Sequence, residues 1–334
     1  MTLSAWFRRV GRPLAPTAML VTLVGCDKTR VESHATAGAM PRAVTEVAPP
    51  RALYVPDASL GLPVASLPAI TPAFVPKPIT VGSRGCPPEM VSVRGRYCVD
   101  RFEATLVDAV TGNPLSPYYS PNPSVTRREF RFWTDGRADL PTAEGRAMDV
   151  PAPPEWELAA TALEPMAIVS PGAIPNGYMS GVLAERACKN AGKRLCTGEE
   201  WVVACRGEQN RKFPYGDAYE DGRCNVCRAT HPARVLHGNA SLGHLDPRLN
   251  EVVEDEHGPL LRECGTTPSC KSDWDGDAIY DMVGNLDEWI DDPDGTFLGG
   301  FYSRATHEGC DSRIEVHSYD YFDYSLGVRC CKSL

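Results

Sequence analysis

The sequence predicts an irregular, disulfide-rich α+β domain, and three observations point to it. Apart from Cys26, the chain carries 12 cysteines between Cys86 and Cys331, a density ordinary in exported domains and rare in reduced cytosol. The stretch "MVSVRGRYCVDRFEATL" (90–106) alternates apolar and polar residues around Gly95 and reads as a hairpin of two strands. Between 180 and 207 two short helices carry their own start and stop signals, while helical periods elsewhere are brief.

Residues 1–25 have the layout of an export signal. Arg8, Arg9 and Arg12 form a basic region ahead of the apolar stretch Leu14 to Gly25, which is too short to span a bilayer comfortably. The stretch ends in Leu23-Val24-Gly25-Cys26, which resembles the lipobox of bacterial lipoproteins. That resemblance implies acylation of Cys26 and a lipid-anchored, extracytoplasmic location in the cell envelope, with the membrane as a partner. Removing 1–25 takes away three arginines and no acids, moving the net charge from -9 to -12. No basic stripe is visible, which argues against a nucleic-acid partner. Residues 26–80 are rich in Pro, Ala, Val and Thr without sustained periodicity, as expected of a tether.

Residues 81–334 are long enough for one large domain with its own core. After the hairpin, 107–170 is rich in Pro, Ser and charge and reads as long loops. Ser180 caps a helix over about 181–191, stopped by Gly192. Thr197-Gly-Glu-Glu200 forms a capping box for a second helix to about Arg206, stopped by Gly207. Residues 208–334 read as loops and short strands. The cysteines favour disulfides over zinc, because only one CxxC pair, Cys224 and Cys227, is present; connectivity stays open.

Several separated motifs resemble one family, the formylglycine-generating enzymes or sulfatase-modifying factors. "AGKRLCTGEEWVVACRG" (191–207), "FPYGD" (213–217), "YDMVGNLDEWIDD" (280–292), "LGGFYS" (298–303) and "YSLGVRCC" (324–331) follow the family's order, and "EMVSVRGRYCVDRFEAT" (89–105) is similar to its opening hairpin. The resemblance implies the family's variant of the C-type-lectin-like fold. It also implies a structural calcium site with a side-chain oxygen from Asp281, carbonyls from Gly284 and Leu286, and the carboxylate of Glu288, ligands suited to a hard cation. An EF-hand does not fit "DWDGDAIYDMVG", where Gly284 stands in place of the final glutamate. Asn225-Val226 matches half of a second family calcium site, with no recognisable partner half.

The family's oxidases bind copper through two cysteines placed after the GGS element. Here those positions hold Arg304 and Gly309, the serine is Phe301, and the tryptophan of the VWEW element is Asp287. A lone thiolate cannot supply the soft two-ligand site that favours cuprous copper. The expectation is therefore a non-catalytic binding or scaffold component of the envelope, with Tyr302, Tyr319, Asp320, Tyr321, Asp323 and Tyr324 offering a groove for an envelope protein or glycan. The alternative is a divergent oxidase with copper or iron near Cys310 or His317. Against it, Cys310 is expected to pair with Cys330 or Cys331, and a lone histidine is more often structural. His231, His237 and His244 lack the i, i+4 spacing of a helical metal pair.

Overall fold

The computed structural model describes residues 85–251 and 253–334. The proposed signal, Cys26 and the tether lie outside the described residues. The hairpin forms as its sequence predicts: Met90–Val93 pairs antiparallel with Tyr97–Asp100, and Arg94 and Gly95 turn the chain at positive φ. The C-terminal strand Cys330–Ser333 adds to the hairpin's second strand and also pairs with Arg194–Leu195, closing a four-stranded sheet. A second four-stranded sheet has Asp287–Trp289 at its centre, between Phe297–Leu298 (antiparallel) and Leu326–Gly327 (parallel).

Both expected helices are present. Gly181–Asn190 is capped by the Ser180 side chain, which accepts from the Leu183 N–H. Gly198–Arg206 carries the complete Thr197/Glu200 capping box. Trp201, on the second helix, is fully buried among Val91, Val99, Ile279, Met282 and Leu298, so this helix packs the first sheet onto the second.

Two expectations about loops need correction. Residues 107–170 contain a 14-residue helix, Pro123–Gly136, with Asn122 accepting from the Ser124 and Val125 N–H groups and proline at the first turn. Its buried face is Pro123, Thr126, Glu129 and Trp133 rather than an aliphatic stripe, so hydrophobic periodicity is a poor guide there. The strand Thr105–Asp108 runs into the same stretch and pairs there with Pro165–Ile168. In 208–334, Pro232–His237 is helical and ends at left-handed Gly238.

Five disulfides are described: Cys86–Cys98, Cys188–Cys330, Cys196–Cys331, Cys205–Cys310 and Cys224–Cys270. Cys227 is disulfide-bonded as well. The expected partner of Cys310 is corrected: the C-terminal pair is taken by Cys188 and Cys196, and Cys310 closes on the second helix instead. Cys264 is free and buried, so the even count of 12 does not mean that all are paired with one another.

Glu157, on the short helix Glu155–Ala159, is fully buried. Its Oε2 accepts from the Ser116 N–H at 2.9 Å, while Oε1 has no hydrogen-bond partner among the described residues. Burial pushes its pKa from 4.5 up to about 7. Folding thus favours the protonated acid, a contribution complete below about pH 4.5 and lost as pH rises through about 7. Glu157→Gln is expected to stabilise the domain by up to about 3 kcal/mol above that range, with the gain vanishing in acid. Urea unfolding of both proteins across the window checks this.

Candidate functional site

The stretch 281–289 makes a turn and then the central strand of the second sheet. Asp281, Gly284 and Asn285 all have positive φ (59°, 84° and 62°), with Asp and Asn among the side chains that tolerate that region. Gly284 is obligatory for a second reason: a Cβ there would lie 2.4 Å from the Asn225 carbonyl oxygen. The Asn225 loop is bound to this turn, since Asn285 N–H donates to the Asn225 carbonyl and Asn225 Nδ2 donates to Asn285 Oδ1. Asn225 Oδ1 accepts from Arg228. The second calcium candidate, Asn225-Val226, is thus held by protein donors beside a guanidinium.

Around the turn lies a buried charge cluster. Glu103, Asp281 and Glu288 are at most 4 % exposed, and the fully buried guanidinium of Arg329 lies among them. Arg329 donates to both Glu288 oxygens at 2.7–3.0 Å and to the carbonyls of Asp100 and Tyr280. Trp201 Nε1 adds a 2.6 Å bond to Glu288 Oε2. Glu103 accepts from Asn285 Nδ2 and the Leu286 N–H, and Asp281 from the Gly265 N–H. Burial raises the pKa of Glu103, reinforced by the charges of Asp281 and Glu288. It pushes Asp281 up to about 6, opposed by the Gly265 N–H. The sequence motifs assign Asp281 and Glu288 to the site, whereas Glu103 and Arg329 lie in the first and last motifs, at opposite ends of the domain, with no site role assigned.

Asp287 points away from that cluster, as alternation along a strand requires. It is fully buried, accepts from the Gly300 N–H at 2.9 Å, and forms a two-point ion pair with Arg304 at 2.8–2.9 Å. Burial pushes the Asp287 pKa up to about 6 even with Arg304 opposing. The Arg304 guanidinium also lies over the Phe301 ring, 5.2 Å from its centroid. Three of the four residues that depart from the oxidase pattern, Asp287, Arg304 and Phe301, are therefore joined through Arg304 into one unit. Sequence alone places them at separate motif positions and gives no hint of this.

Cys310 is buried in its disulfide with Cys205. The neighbouring Gly309 has φ 61°, and a Cβ there would meet the Lys212 carbonyl oxygen at 2.3 Å. His317 is stacked between Tyr321 (centroids 3.9 Å apart) and Phe297 (5.7 Å), and burial lowers its pKa. His231 and His244 flank Tyr324, whereas His237 is buried against Asp246. Burial pulls the His231 pKa down to about 4, and its Nδ1 has no partner among the described residues. Of the proposed groove residues, Tyr302, Asp323 and Tyr324 are buried, Tyr319 and Tyr321 half-buried, and Asp320 exposed. Among the described residues no three His, Cys, Asp or Glu side chains gather in a metal-binding group, so a cation here would draw on main-chain carbonyls.

Comparison with known proteins bears on this geometry. A family model described as "Sulfatase-modifying factor enzyme 1-like domain" matches residues 88–316. The formylglycine-generating enzymes of Mus musculus and Bos taurus are each 32% identical to the chain over 106 residues, 31% of this chain and 23% of theirs. The match thus spans about a quarter of the length of those curated relatives. Among solved structures, PvdO from Pseudomonas aeruginosa has a TM-score of 0.35 at 11% identity, covering 71% of this chain and 80% of that one. CarF has a TM-score of 0.32 at 12% identity, covering 71% and 86%.

Proposed function

The chain belongs to the sulfatase-modifying-factor family, and from that premise we propose that it is a non-catalytic binding or scaffold component of the cell envelope, held there by a lipid on Cys26. The observation that carries the proposal is the contact among Asp287, Arg304 and Phe301. At the first copper-ligand position a cation is clamped by a buried carboxylate and an aromatic face, and a soft cation gains nothing beside a guanidinium. At the second position the close approach of Lys212 leaves no room for a side chain at Gly309. The adjacent thiol, Cys310, is consumed in a disulfide.

Replacing Arg304 with alanine leaves Asp287 buried without its partner. That variant is expected to lose about 3–5 kcal/mol of stability at neutral pH, while Arg304→Ala/Asp287→Leu recovers most of the loss. A loss confined to Arg304→Ala supports an ion pair that holds the site closed. Equal loss in both variants would sink it.

Calcium is the proposed structural cofactor. Burial raises the pKa of Glu103 and Asp281, and a divalent cation would favour the charged form of these carboxylates beside the single guanidinium of Arg329. The Gly284 and Leu286 carbonyl oxygens accept no hydrogen bond from the described residues. Asp281, Gly284 and Leu286 thus offer hard oxygens, and Glu288 would complete the site only by giving up part of its bonding to Arg329 and Trp201, which together hold both its oxygens. Calcium at a hundred times its dissociation constant is expected to add about 2.7 kcal/mol, and Asp281→Asn to abolish that response. Unfolding with and without a chelator measures both. The half-buried Tyr319 and Tyr321 beside exposed Asp320 are proposed as the contact surface for an envelope protein or glycan.

A further inference from the structure

A separate cleft of about 540 Å³ borders the same turn and shares no residue with the Asp287–Arg304 unit. Its size is that of a small-molecule site. Tyr118, Ile174 and Leu261 supply apolar wall, and Arg262, Glu251 and His257 supply charge and hydrogen-bonding capacity. The cleft is anchored to the core at two points. Arg262 exchanges main-chain bonds with the Asn285 side chain, and Asn250, also in the lining, donates to the Tyr324 carbonyl and accepts from the Tyr302 hydroxyl.

Arg262 is the unexplained group. It is half-buried, yet among the described residues its guanidinium makes a single bond, from Nη1 to Thr267 Oγ1, and no ion pair. The acids whose charges reach it are committed elsewhere: Asp255 is paired with Arg228, and Asp281 accepts from Gly265. Burial and the nearby Arg228 both act against its charge. Arg262 lines the cleft, and beyond the Thr267 bond its N–H donors have no protein acceptor among the described residues. Glu251, at the end of the short helix Arg248–Glu251, lines the same cleft; it is exposed, and no cation pairs with it among the described residues. Glu263 is exposed at the same cleft.

An unpaired cation and an unpaired carboxylate lining one partly apolar cleft match a ligand that carries both charges. We propose that the cleft binds a small zwitterion, its carboxylate on Arg262, its ammonium group on Glu251 and its side chain against Ile174 and Leu261. A free amino acid and a short peptide share this chemistry, and they are separated by length. The proposal is independent of copper and of calcium.

Calorimetric titration of the full chain with leucine and with dileucine tests it, alongside N-acetyl-leucine and leucinamide, which lack one charge each. Binding of leucine or dileucine is expected, with both blocked forms weaker by about tenfold or more, the loss expected for one charge-assisted hydrogen bond. Arg262→Gln and Glu251→Gln should each weaken binding by a similar factor at unchanged melting temperature, and Glu263→Gln should not. Preference for leucine assigns a free amino acid, and preference for dileucine a peptide. No heat with either ligand, or binding indifferent to Arg262→Gln, overturns the proposal.

Discussion

Replacing Arg329 with methionine is expected to destabilise the domain by about 3–5 kcal/mol, the range for removing one partner of a buried ion pair. Arg329 is fully buried and is the guanidinium bonded to Glu288, with Glu103 and Asp281 beside it. Its remaining donors hold the Asp100 and Tyr280 carbonyls, so the variant also leaves main-chain oxygens unpaired. The double variant Arg329→Met/Glu288→Gln removes one stranded charge and should recover part of the loss. If calcium shares the cluster, the loss should be larger in chelator than in calcium. Urea unfolding of the two variants in both buffers reads out each effect, and a loss below about 1 kcal/mol would mean that the cluster is not held by this charge.

The two C-terminal disulfides should show strong non-additivity. Cys188–Cys330 and Cys196–Cys331 have sequence separations of 142 and 135, so they close nearly the same loop. By chain entropy alone, closing a loop of that length restrains the unfolded chain by about 5 kcal/mol. While one bridge remains, the loop stays closed, and removing the other costs little beyond lost packing. Removing both frees the loop and detaches the strand that joins the hairpin to Arg194–Leu195. Either pair changed to serine alone is therefore expected to lose about 1–2 kcal/mol and the quadruple variant about 5 kcal/mol or more, often enough to prevent folding at 37 °C. Thermal unfolding of the three variants checks this. Equal, additive losses would show that local packing outweighs loop entropy.

The parts of this fold that are legible in sequence are those set by local chemistry. Ser180, Thr197 and Glu200 announce their helices because a cap acts within one turn, and Gly95 announces its hairpin for the same reason. The helix Pro123–Gly136 had an equally local signal in Asn122-Pro123. It was obscured because its buried face is built from Thr126, Glu129 and Trp133, which do not read as an apolar stripe. The disulfide partners were not legible: Cys330 and Cys331 point to opposite faces of one strand, and so reach the two different elements that carry Cys188 and Cys196. At the site, motif order located Asp281 through Glu288 and flagged Phe301, Arg304 and Asp287 one by one. Their mutual contact, and the meeting of Glu103 with Arg329, depend on strands that are distant in sequence and adjacent only in the sheets.

The most direct test of the central claim is cuprous copper binding by the full chain, purified from an oxidising compartment without added metal and titrated against a chromophoric chelator. The Asp287–Arg304–Phe301 unit predicts no copper bound at stoichiometric level by the wild-type protein, with calcium as the metal that copurifies. One copper per chain, lost when Cys310 or His317 is replaced in a protein that still folds, would contradict it and make the chain an oxidase with a rearranged site.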